Sequence, residues 1–283
     1  MKHDGEHARR LIAQQHPDGS WSERFHTLSA SGSARHEPTT EMALRRLEAL
    51  GFTMQDGCIR RAVDYLDACL RGERSIPDPR EKLHDWDAFT ELMLAAWIRR
   101  FTPQNARANA VGEQWAGMLE AAFAGGEYDH AAYCAAFARA LGHPPRGGRF
   151  VDFVNFYIVS VTAGLLREET EARMIDYVLR HEPGIYYVCE GPLCRLPEPF
   201  GGKRAVRAIA GLAELARHPH AAPRLRFAAE WLEKNRGQDG RWDLTAAAKD
   251  GVHLPLSDSW RRPEARRADC TAFVRSLLDS LRA

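Results

Sequence analysis

Two carboxylates and a histidine stand together directly before a helical stretch. The run His84-Asp85-Trp86-Asp87 is followed by a helical pattern over 88 to 101. Two carboxylates this close can raise the pKa of one of them by mutual repulsion, which is what a general acid requires. We therefore predict Asp85 and Asp87, with His84, as catalytic residues. The alternative is that Asp87 only caps the helix while Asp85 remains solvated.

A second group of residues could bind an anion. Two glycines, Gly201 and Gly202, precede a helical stretch whose first two turns carry Lys203, Arg204 and Arg207. Unpaired backbone N–H groups, the helix dipole and three cations would converge on an anion such as a diphosphate. The sequence thus predicts these three cations as substrate-binding residues, with a solvated first turn as the alternative.

Aromatic and polar residues form a third group. Tyr128, Asp129 and Tyr133, together with Trp86, are predicted to bind substrate by stacking and hydrogen bonding. Such residues would suit a sugar as well as an apolar molecule. The alternative is that Asp129 caps a helix and that the aromatic residues belong to the core.

Helical periodicity runs through almost the whole chain, which predicts an all-α protein. Ile185 to Val188 is the only strand-like run. The predicted helices lie near 5 to 15, 39 to 50, 58 to 71, 87 to 101, 106 to 124, 129 to 141, 150 to 166, 170 to 181, 203 to 217, 222 to 235 and 268 to 282.

Four of these helices end alike, with a glycine followed two residues later by an aromatic residue. The pairs are Gly19 and Trp21, Gly126 and Tyr128, Gly184 and Tyr186, and Gly240 and Trp242. Glycine permits the left-handed turn that closes a helix, and the aromatic ring can fold back over the helix end. Such helices alternate with short helices rich in Ala and Leu, which indicates a repeated helical hairpin.

The ending at Gln15, Gly19 and Trp21 resembles the repeat of squalene and oxidosqualene cyclases. The chain is therefore similar to the terpenoid cyclase and protein prenyltransferase superfamily. This resemblance implies an α/α toroid, a ring of about five to six antiparallel helical hairpins. It also implies a cavity that opens where the inner helices begin.

The resemblance extends to the first group of residues. Class II terpene cyclases carry an Asp-x-Asp-Asp motif whose central Asp donates the initiating proton, and Asp85, Trp86 and Asp87 are similar to its first three positions. Ala88 stands where the last Asp would be, so one tuning carboxylate is absent.

The same superfamily implies a metal site as one possibility. Protein prenyltransferases hold zinc through an Asp and a Cys two residues apart plus a distant His, whereas Asp269 and Cys270 are adjacent here, with His84, His130 and His253 elsewhere. Because the spacing departs from the pattern, no metal ligands are assigned. Mg or Zn remains possible as a cofactor without a clear ligand motif.

Composition limits the class of protein. The 283 residues fit one helical domain spanning 1 to 283, and the formal net charge of +1 gives no global field that would attract nucleic acid. No stretch approaches the roughly 18 apolar residues of a transmembrane helix, and no signal peptide is visible, so we expect a cytoplasmic protein. Oligomeric state is not predicted.

Three functions fit these patterns. The leading hypothesis is a prenyltransferase-like or terpene-cyclase-like protein that binds a small apolar or isoprenoid-diphosphate ligand at an acidic cavity mouth. The alternatives are a carbohydrate-active enzyme with paired carboxylates and a non-catalytic binding module.

Overall fold

A computed structural model describes residues 5–26, 38–82, 85–146 and 150–282, so that His84 lies outside the described residues. The described part contains eleven α-helices, a 3₁₀ turn at Ala246–Ala248 and one two-stranded hairpin. The helices are α1 (Glu6–Ala13), α2 (Thr40–Ala49), α3 (Gly57–Leu70), α4 (Trp86–Phe101), α5 (Ala106–Ala122), α6 (His130–Leu141), α7 (Phe156–Val161), α8 (Glu168–Arg180), α9 (Gly202–Leu215), α10 (Arg226–Lys234) and α11 (Pro263–Ser280). The strands are β1 (Gly184–Ile185) and β2 (Cys189–Glu190), which pair antiparallel. The prediction of an all-α protein is confirmed.

Amphipathic helices and deeply buried helices follow one another along the chain. Helices α1, α3, α5, α8 and α10 each bury one face and expose the other, whereas every residue of α7 is buried. Helix α4 packs against α3, α5 and α7, while α7 and α11 both contact α9. In the described ranges, no helix is both long enough and apolar enough to cross a membrane.

Each of the five amphipathic helices is followed, two to six residues after its last residue, by a glycine with positive φ. In each case the glycine N–H donates to the carbonyl three residues earlier: Gly19 to His16, Gly72 to Cys69, Gly126 to Phe123, Gly184 to His181 and Gly240 to Gly237. The glycine turns predicted after four helices are present, and Gly72 after α3 makes the same turn without an aromatic residue two positions later. At Gly19 (φ 98°) a side chain is also excluded by space, because a Cβ atom would lie 2.1 Å from the Arg61 carbonyl oxygen.

The two tryptophans after these turns make the same hydrogen bonds. Each indole Nε1 donates to the carbonyl ten residues earlier, and each backbone N–H donates to a threonine hydroxyl on a later helix. The distances are 2.7 Å from Trp21 to Leu11, 2.7 Å from Trp242 to Leu232, 2.9 Å from Trp21 to Thr40 and 3.1 Å from Trp242 to Thr271. Both rings are buried, whereas Tyr186 at the equivalent position is 56% exposed. The tryptophans thus fasten an amphipathic helix to a later helix.

The helix predicted over 150 to 166 is wrong in extent, because only α7 is helical there. Asn155 starts α7 by accepting a hydrogen bond from the Ile158 N–H at 3.0 Å. The residues before it pair instead with the hairpin, through Tyr186 N–H to the Val154 carbonyl at 3.1 Å and Phe156 N–H to the Tyr186 carbonyl at 3.0 Å. Strand-like pairing with a distant segment therefore overrides the local helical pattern.

The first and last parts of the described chain are in contact. Arg10 on α1 donates to Asp258, just before α11, at 2.6 Å. Arg46 on α2 donates to the carbonyls of Gly251, at 2.6 Å, and Pro255. One continuous cluster of buried side chains extends from α1 to α11.

We expect Trp21→Phe and Trp242→Phe each to destabilise the protein by about 1–3 kcal/mol, because phenylalanine leaves a buried carbonyl without its indole donor. The change to Ala should cost about 3–5 kcal/mol. Urea unfolding followed by circular dichroism measures both. The matched control is Trp231→Phe, since Trp231 is buried but its Nε1 has no partner among the described residues. Equal losses in all three Phe variants would contradict the role assigned to the hydrogen bonds.

Candidate functional site

Helix α2 carries a charged face that points into the protein. Glu41, Arg45 and Glu48 follow one another at helical spacing, and Ala43, Leu44 and Leu47 bury the other side of the same helix. The Glu41 side chain is 6% exposed, so other parts of the chain rather than water must satisfy its charge, whereas Glu48 at 23% exposure keeps some contact with water.

The first turn of this face forms a group that we call the His26 site, made of His26, Glu41 and Tyr157. The Tyr157 hydroxyl donates to Glu41 Oε1 at 2.9 Å, and the Trp97 indole donates to the same oxygen at 3.2 Å. His26 Nδ1 lies 2.8 Å from the Tyr157 oxygen and 3.2 Å from Glu41 Oε2. Both carboxylate oxygens of Glu41 therefore face hydrogen-bond partners in the interior.

The backbone around the His26 site is held in place. The N–H groups of Phe25 and His26 donate to the two carboxylate oxygens of Asp78, at 2.5 and 3.0 Å. Tyr187, between β1 and β2, lies beside the imidazole with ring centroids 5.3 Å apart, and its backbone has φ 73°. A tyrosine with positive φ is strained, and such strain concentrates at functional sites.

Burial and charge fix the protonation states at the His26 site. Burial raises the pKa of the Tyr157 phenol well above its ordinary value, and the charge of Glu41 raises it further, so the hydroxyl stays protonated. Burial also raises the pKa of Glu41, but the hydrogen bond and charge of His26, with Arg45 and Tyr157, outweigh it and the net pKa is lowered. Glu41 is therefore ionised at neutral pH.

These states leave one imidazole nitrogen of His26 available. Since Tyr157 donates its proton to Glu41, the His26 Nδ1–H must be the donor toward the Tyr157 oxygen and Glu41. In the neutral ring the lone pair is then on Nε2, for which the described residues provide no hydrogen-bond partner. The His26 side chain is 12% exposed. A buried carboxylate thus orients a histidine whose other nitrogen is left as a hydrogen-bond acceptor.

Further along α2, Glu48 belongs to a buried ion-pair network. Arg100 on α4 donates to Glu48 at 2.7 Å, to Glu214 on α9 at 2.6 Å and to the Ser160 hydroxyl on α7 at 3.0 Å. Arg217 donates to Glu48 at 3.2 Å. Burial raises the pKa of Glu48, but the two arginines outweigh it and the net pKa is lowered.

Aromatic rings separate the two buried groups. The guanidinium of Arg45 lies 4.4 Å from the centroid of Phe156 and 5.4 Å from that of Trp97, and the guanidinium of Arg100 lies 5.3 and 5.2 Å from the same two rings. Cation–π contacts of this kind stabilise charges that water does not reach.

A second histidine near Arg45 is oriented by a carboxylate. His253 Nδ1 lies 2.8 Å from Asp250, whose pKa is lowered to about 2 because His253 and backbone N–H groups outweigh the effect of burial. Burial lowers the pKa of His253, and the charge of Arg45 lowers it further. Its Nε2 is buried without a partner among the described residues.

The predicted catalytic carboxylates lie in different environments. The Asp87 side chain is 74% exposed and accepts two hydrogen bonds from Arg80, at 3.0 and 2.7 Å. Asp85 precedes α4 and is mostly buried, with Oδ1 3.4 Å from His143 Nε2 and Oδ2 without a partner in the described ranges. Neither carboxylate caps α4 through its side chain. The environment of Asp85 suits a site residue, whereas Asp87 is a solvated surface residue.

The predicted anion-binding cations surround the start of α9. Lys203 and Arg204 are exposed, and Arg207 lies 3.2 Å from Glu190 of β2. The Gly202 N–H donates to the Leu244 carbonyl at 2.7 Å, so it is not available to a ligand.

The third predicted group divides between core and surface. Tyr133 is fully buried with its hydroxyl donating to the Phe150 carbonyl at 3.1 Å, and Trp86 is also buried. Asp129 caps α6 by accepting from the backbone at 2.8 and 3.1 Å, as its alternative interpretation expected. Tyr128 lies on a surface pocket of about 370 Å³, with its ring centroid 4.6 Å from that of Tyr177.

The residues considered for zinc have structural partners. Asp269 Oδ2 accepts hydrogen bonds from the backbone of Leu256 and Ser257, from the Ser257 hydroxyl and from the Trp260 indole, at 2.6–3.0 Å. Cys270 Sγ accepts from the Leu244 N–H at 3.5 Å. Within the described ranges, no three His, Cys, Asp or Glu side chains are grouped as metal ligands.

Sequence reasoning missed His26, Glu41 and Tyr157. The available signal was the charged face of α2, because charges at i, i+4 and i+7 on a helix predicted to be internal require buried partners. His26 and Tyr157 carry no comparable signal, since their contacts to Glu41 span 15 and 116 residues.

No match to known proteins helps to assign the site. Protein-family models, curated proteins and solved structures were each compared with the chain, and none matches. The assignment therefore rests on the geometry of the described residues.

We expect Glu41→Gln to destabilise the protein more at neutral than at acidic pH. The pKa of Glu41 is lower in the folded protein than in the unfolded chain, so its stabilisation is present above the unfolded value and lost as pH falls through the folded value. Urea unfolding between pH 7 and pH 4 measures the difference from wild type. The control is Glu230→Gln on the exposed face of α10. A difference that does not change with pH would contradict an ionised Glu41.

Proposed function

We propose that the chain is an α/α toroid, similar in architecture to terpenoid cyclases and protein prenyltransferases. The amphipathic helices α1 and α8 are each followed by a glycine turn and then by a more buried helix, α2 and α9, which is the order expected of stacked hairpins. The contact of Arg10 with Asp258 supports closure, because it joins the first hairpin to the last.

The proposed activity is proton transfer by His26 to or from a small ligand. The observation that carries it is the hydrogen-bonded group of His26, Glu41 and Tyr157, which leaves Nε2 as the reactive nitrogen. A base oriented by a buried carboxylate through its other nitrogen is the arrangement that general acid–base catalysis uses.

The proposed ligand is largely apolar and is approached by aromatic rings. Phe89, Tyr157 and Tyr187 have ring centroids 5.2–5.9 Å from that of His26. The ion-pair network of Arg100 occupies the interior on the other side of these aromatic rings. The ligand would therefore lie near the N-terminal ends of α2 and α4. An isoprenoid chain meets this requirement, since aromatic faces also stabilise carbocations that form on such chains.

A diphosphate on that ligand would be bound by Lys203 and Arg204. The hairpin of β1 and β2 links the His26 site to the start of α9. It holds Tyr187 beside His26 and Glu190 beside Arg207. The exposure of the two cations leaves them available to an anion.

We expect farnesyl diphosphate to bind the wild-type protein and to bind Lys203→Ala/Arg204→Ala at least about tenfold more weakly, since each charge-assisted hydrogen bond contributes about 1.5–3 kcal/mol. Added salt should weaken wild-type binding. His26→Gln should leave binding nearly unchanged but abolish turnover. Isothermal titration and mass spectrometry of the products measure the two effects.

The matched control for the double variant is Arg261→Ala/Arg262→Ala, which removes two exposed cations in front of α11. No heat with the wild type, or the same affinity in both double variants, would overturn the diphosphate proposal. Turnover that survives in His26→Gln would overturn the proposed role of His26.

Carbohydrate binding is a second candidate, favoured by the surface pocket at Tyr128. Tyr128 and Tyr177 provide stacking faces, and Arg173, Asp176 and Arg180 provide polar groups around the same 370 Å³ space. Maltotriose binding that is lost in Tyr177→Ala but retained in His26→Gln, measured by ligand-observed NMR, would support this candidate. Absence of maltotriose binding to the wild type would speak against it.

A further inference from the structure

His181 follows the last residue of α8 and has a hydrogen-bond acceptor at each ring nitrogen. Its Nδ1 lies 2.7 Å from the Gly184 carbonyl oxygen, and its Nε2 lies 2.7 Å from Asp152 Oδ2. A carbonyl and an ionised carboxylate can only accept, so each nitrogen must carry a proton. This arrangement of His181, Asp152 and Gly184, which we call the His181 contact, therefore requires the imidazolium form of the ring.

The protonation states of the two side chains agree with this geometry. Burial lowers the pKa of His181, but the hydrogen bonds to Asp152 and Gly184 and the charge of Asp152 outweigh it, and the net pKa is raised. Burial raises the pKa of Asp152, but the hydrogen bonds from His181 and from the Val154 N–H outweigh it, and the net pKa is lowered. The Asp152 side chain is 37% exposed, so the pair keeps contact with water and can respond to pH.

The other titratable groups around this contact leave Asp152 to set its charge. Three phenols stay neutral because burial and the charge of Asp152 raise their pKa: Tyr128, Tyr133 and Tyr177. His130, at the start of α6, acts on Asp152 and lowers its pKa further. The residues on either side of the histidine, Arg180 and Glu182, are exposed, and Glu182 pairs with Arg195.

The contact joins the hairpin of β1 and β2 to the segment before α7. Beside it, the Tyr186 N–H donates to the Val154 carbonyl at 3.1 Å, and the Phe156 N–H donates to the Tyr186 carbonyl at 3.0 Å. The next hairpin residue is Tyr187, whose ring lies beside His26 and whose φ of 73° is strained. Because a strained turn persists only where surrounding contacts offset the strain, the hairpin depends on this small set of hydrogen bonds.

We propose that His181 is a pH-dependent switch for the position of the hairpin. As an imidazolium it holds the hairpin against the segment before α7, with Tyr187 beside His26. Loss of its proton removes one of its two hydrogen bonds, and the hairpin then opens more readily.

The direction of the pH dependence follows from the raised pKa of His181. The stabilisation is fully present below the pKa of the unfolded chain and is lost as pH rises through the higher pKa of the folded protein. The inference stands without the proposed activity of His26, because its test involves neither a ligand nor turnover.

Two NMR measurements on the wild-type protein test the switch between pH 5 and pH 9. The imidazole ¹⁵N signals of His181 report its protonation, and we expect a midpoint above the ordinary value of about 6.5. Amide hydrogen exchange, corrected for the intrinsic rate at each pH, reports the opening of the hairpin. We expect protection of the Tyr186 and Phe156 amides to fall at least about tenfold as His181 loses its proton, since one charge-assisted hydrogen bond is lost. Amides of α3 should keep their protection.

Three variants assign the effect to the contact. His181→Gln is neutral at every pH, so protection of the two amides should be low and should not change with pH. Asp152→Asn should lower the midpoint of His181 toward about 6.5, because the partner charge is gone. The matched control is His143→Gln, which removes a histidine that lies 3.4 Å from a different aspartate, Asp85. It should leave the pH dependence of the hairpin unchanged.

The wild-type titrations alone can overturn the proposal, whether or not the variants fold. A His181 midpoint at or below about 6.5 would exclude an imidazolium stabilised by the closed hairpin. Tyr186 protection that stays constant through the midpoint would show that the proton does not control the hairpin. In a folded His181→Gln variant, protection that still falls with rising pH would assign the switch to another group.

Discussion

Glu41, Arg45 and Glu48 lie on one face of α2 that packs against other helices, so their charges are largely removed from water. The surrounding helices therefore have to supply hydrogen-bond partners at defined positions along the axis of α2. Helix α4 supplies Trp97 and Arg100, and α7 supplies Tyr157. Ser160 on α7 and Glu214 on α9 accept the remaining hydrogen bonds of Arg100. An apolar interface tolerates a small sliding of one helix past another, whereas these hydrogen bonds do not, because a displaced partner would leave a buried charge unpaired.

A glycine turn follows each of the five amphipathic helices. The glycine has positive φ in every case and lies two to six residues after the last helical residue, where it lets the chain turn. Trp21 and Trp242 then join the helix end to a threonine on a later helix with matching hydrogen bonds. Helix α6 packs against α5, and like α11 it buries fewer than half of its residues, so the alternation of amphipathic and buried helices is not uniform along the described chain.

The sequence predicts the local features well because they depend on neighbouring residues. Helix bounds from α2 to α6 agree with the structure within two residues, and four of the five glycine turns are visible as a glycine followed two residues later by an aromatic residue. The short α7 was not predictable, since what limits it is pairing with Tyr186, about thirty residues later. The candidate site depends even more on distant contacts. The sequence predicts polar residues at helix starts as site residues, yet Asp87 lies on the surface and Asp129 caps its helix.

Three buried histidines show how one neighbouring residue decides what an imidazole can do. His26 and His253 each place Nδ1 against a carboxylate, which fixes the proton there and leaves Nε2 as an acceptor. His7 places Nδ1 against Arg10, which can only donate, so its Nε2 becomes a donor instead. In the neutral rings, Nε2 of the first two can accept a hydrogen bond, whereas Nε2 of the third can only donate one.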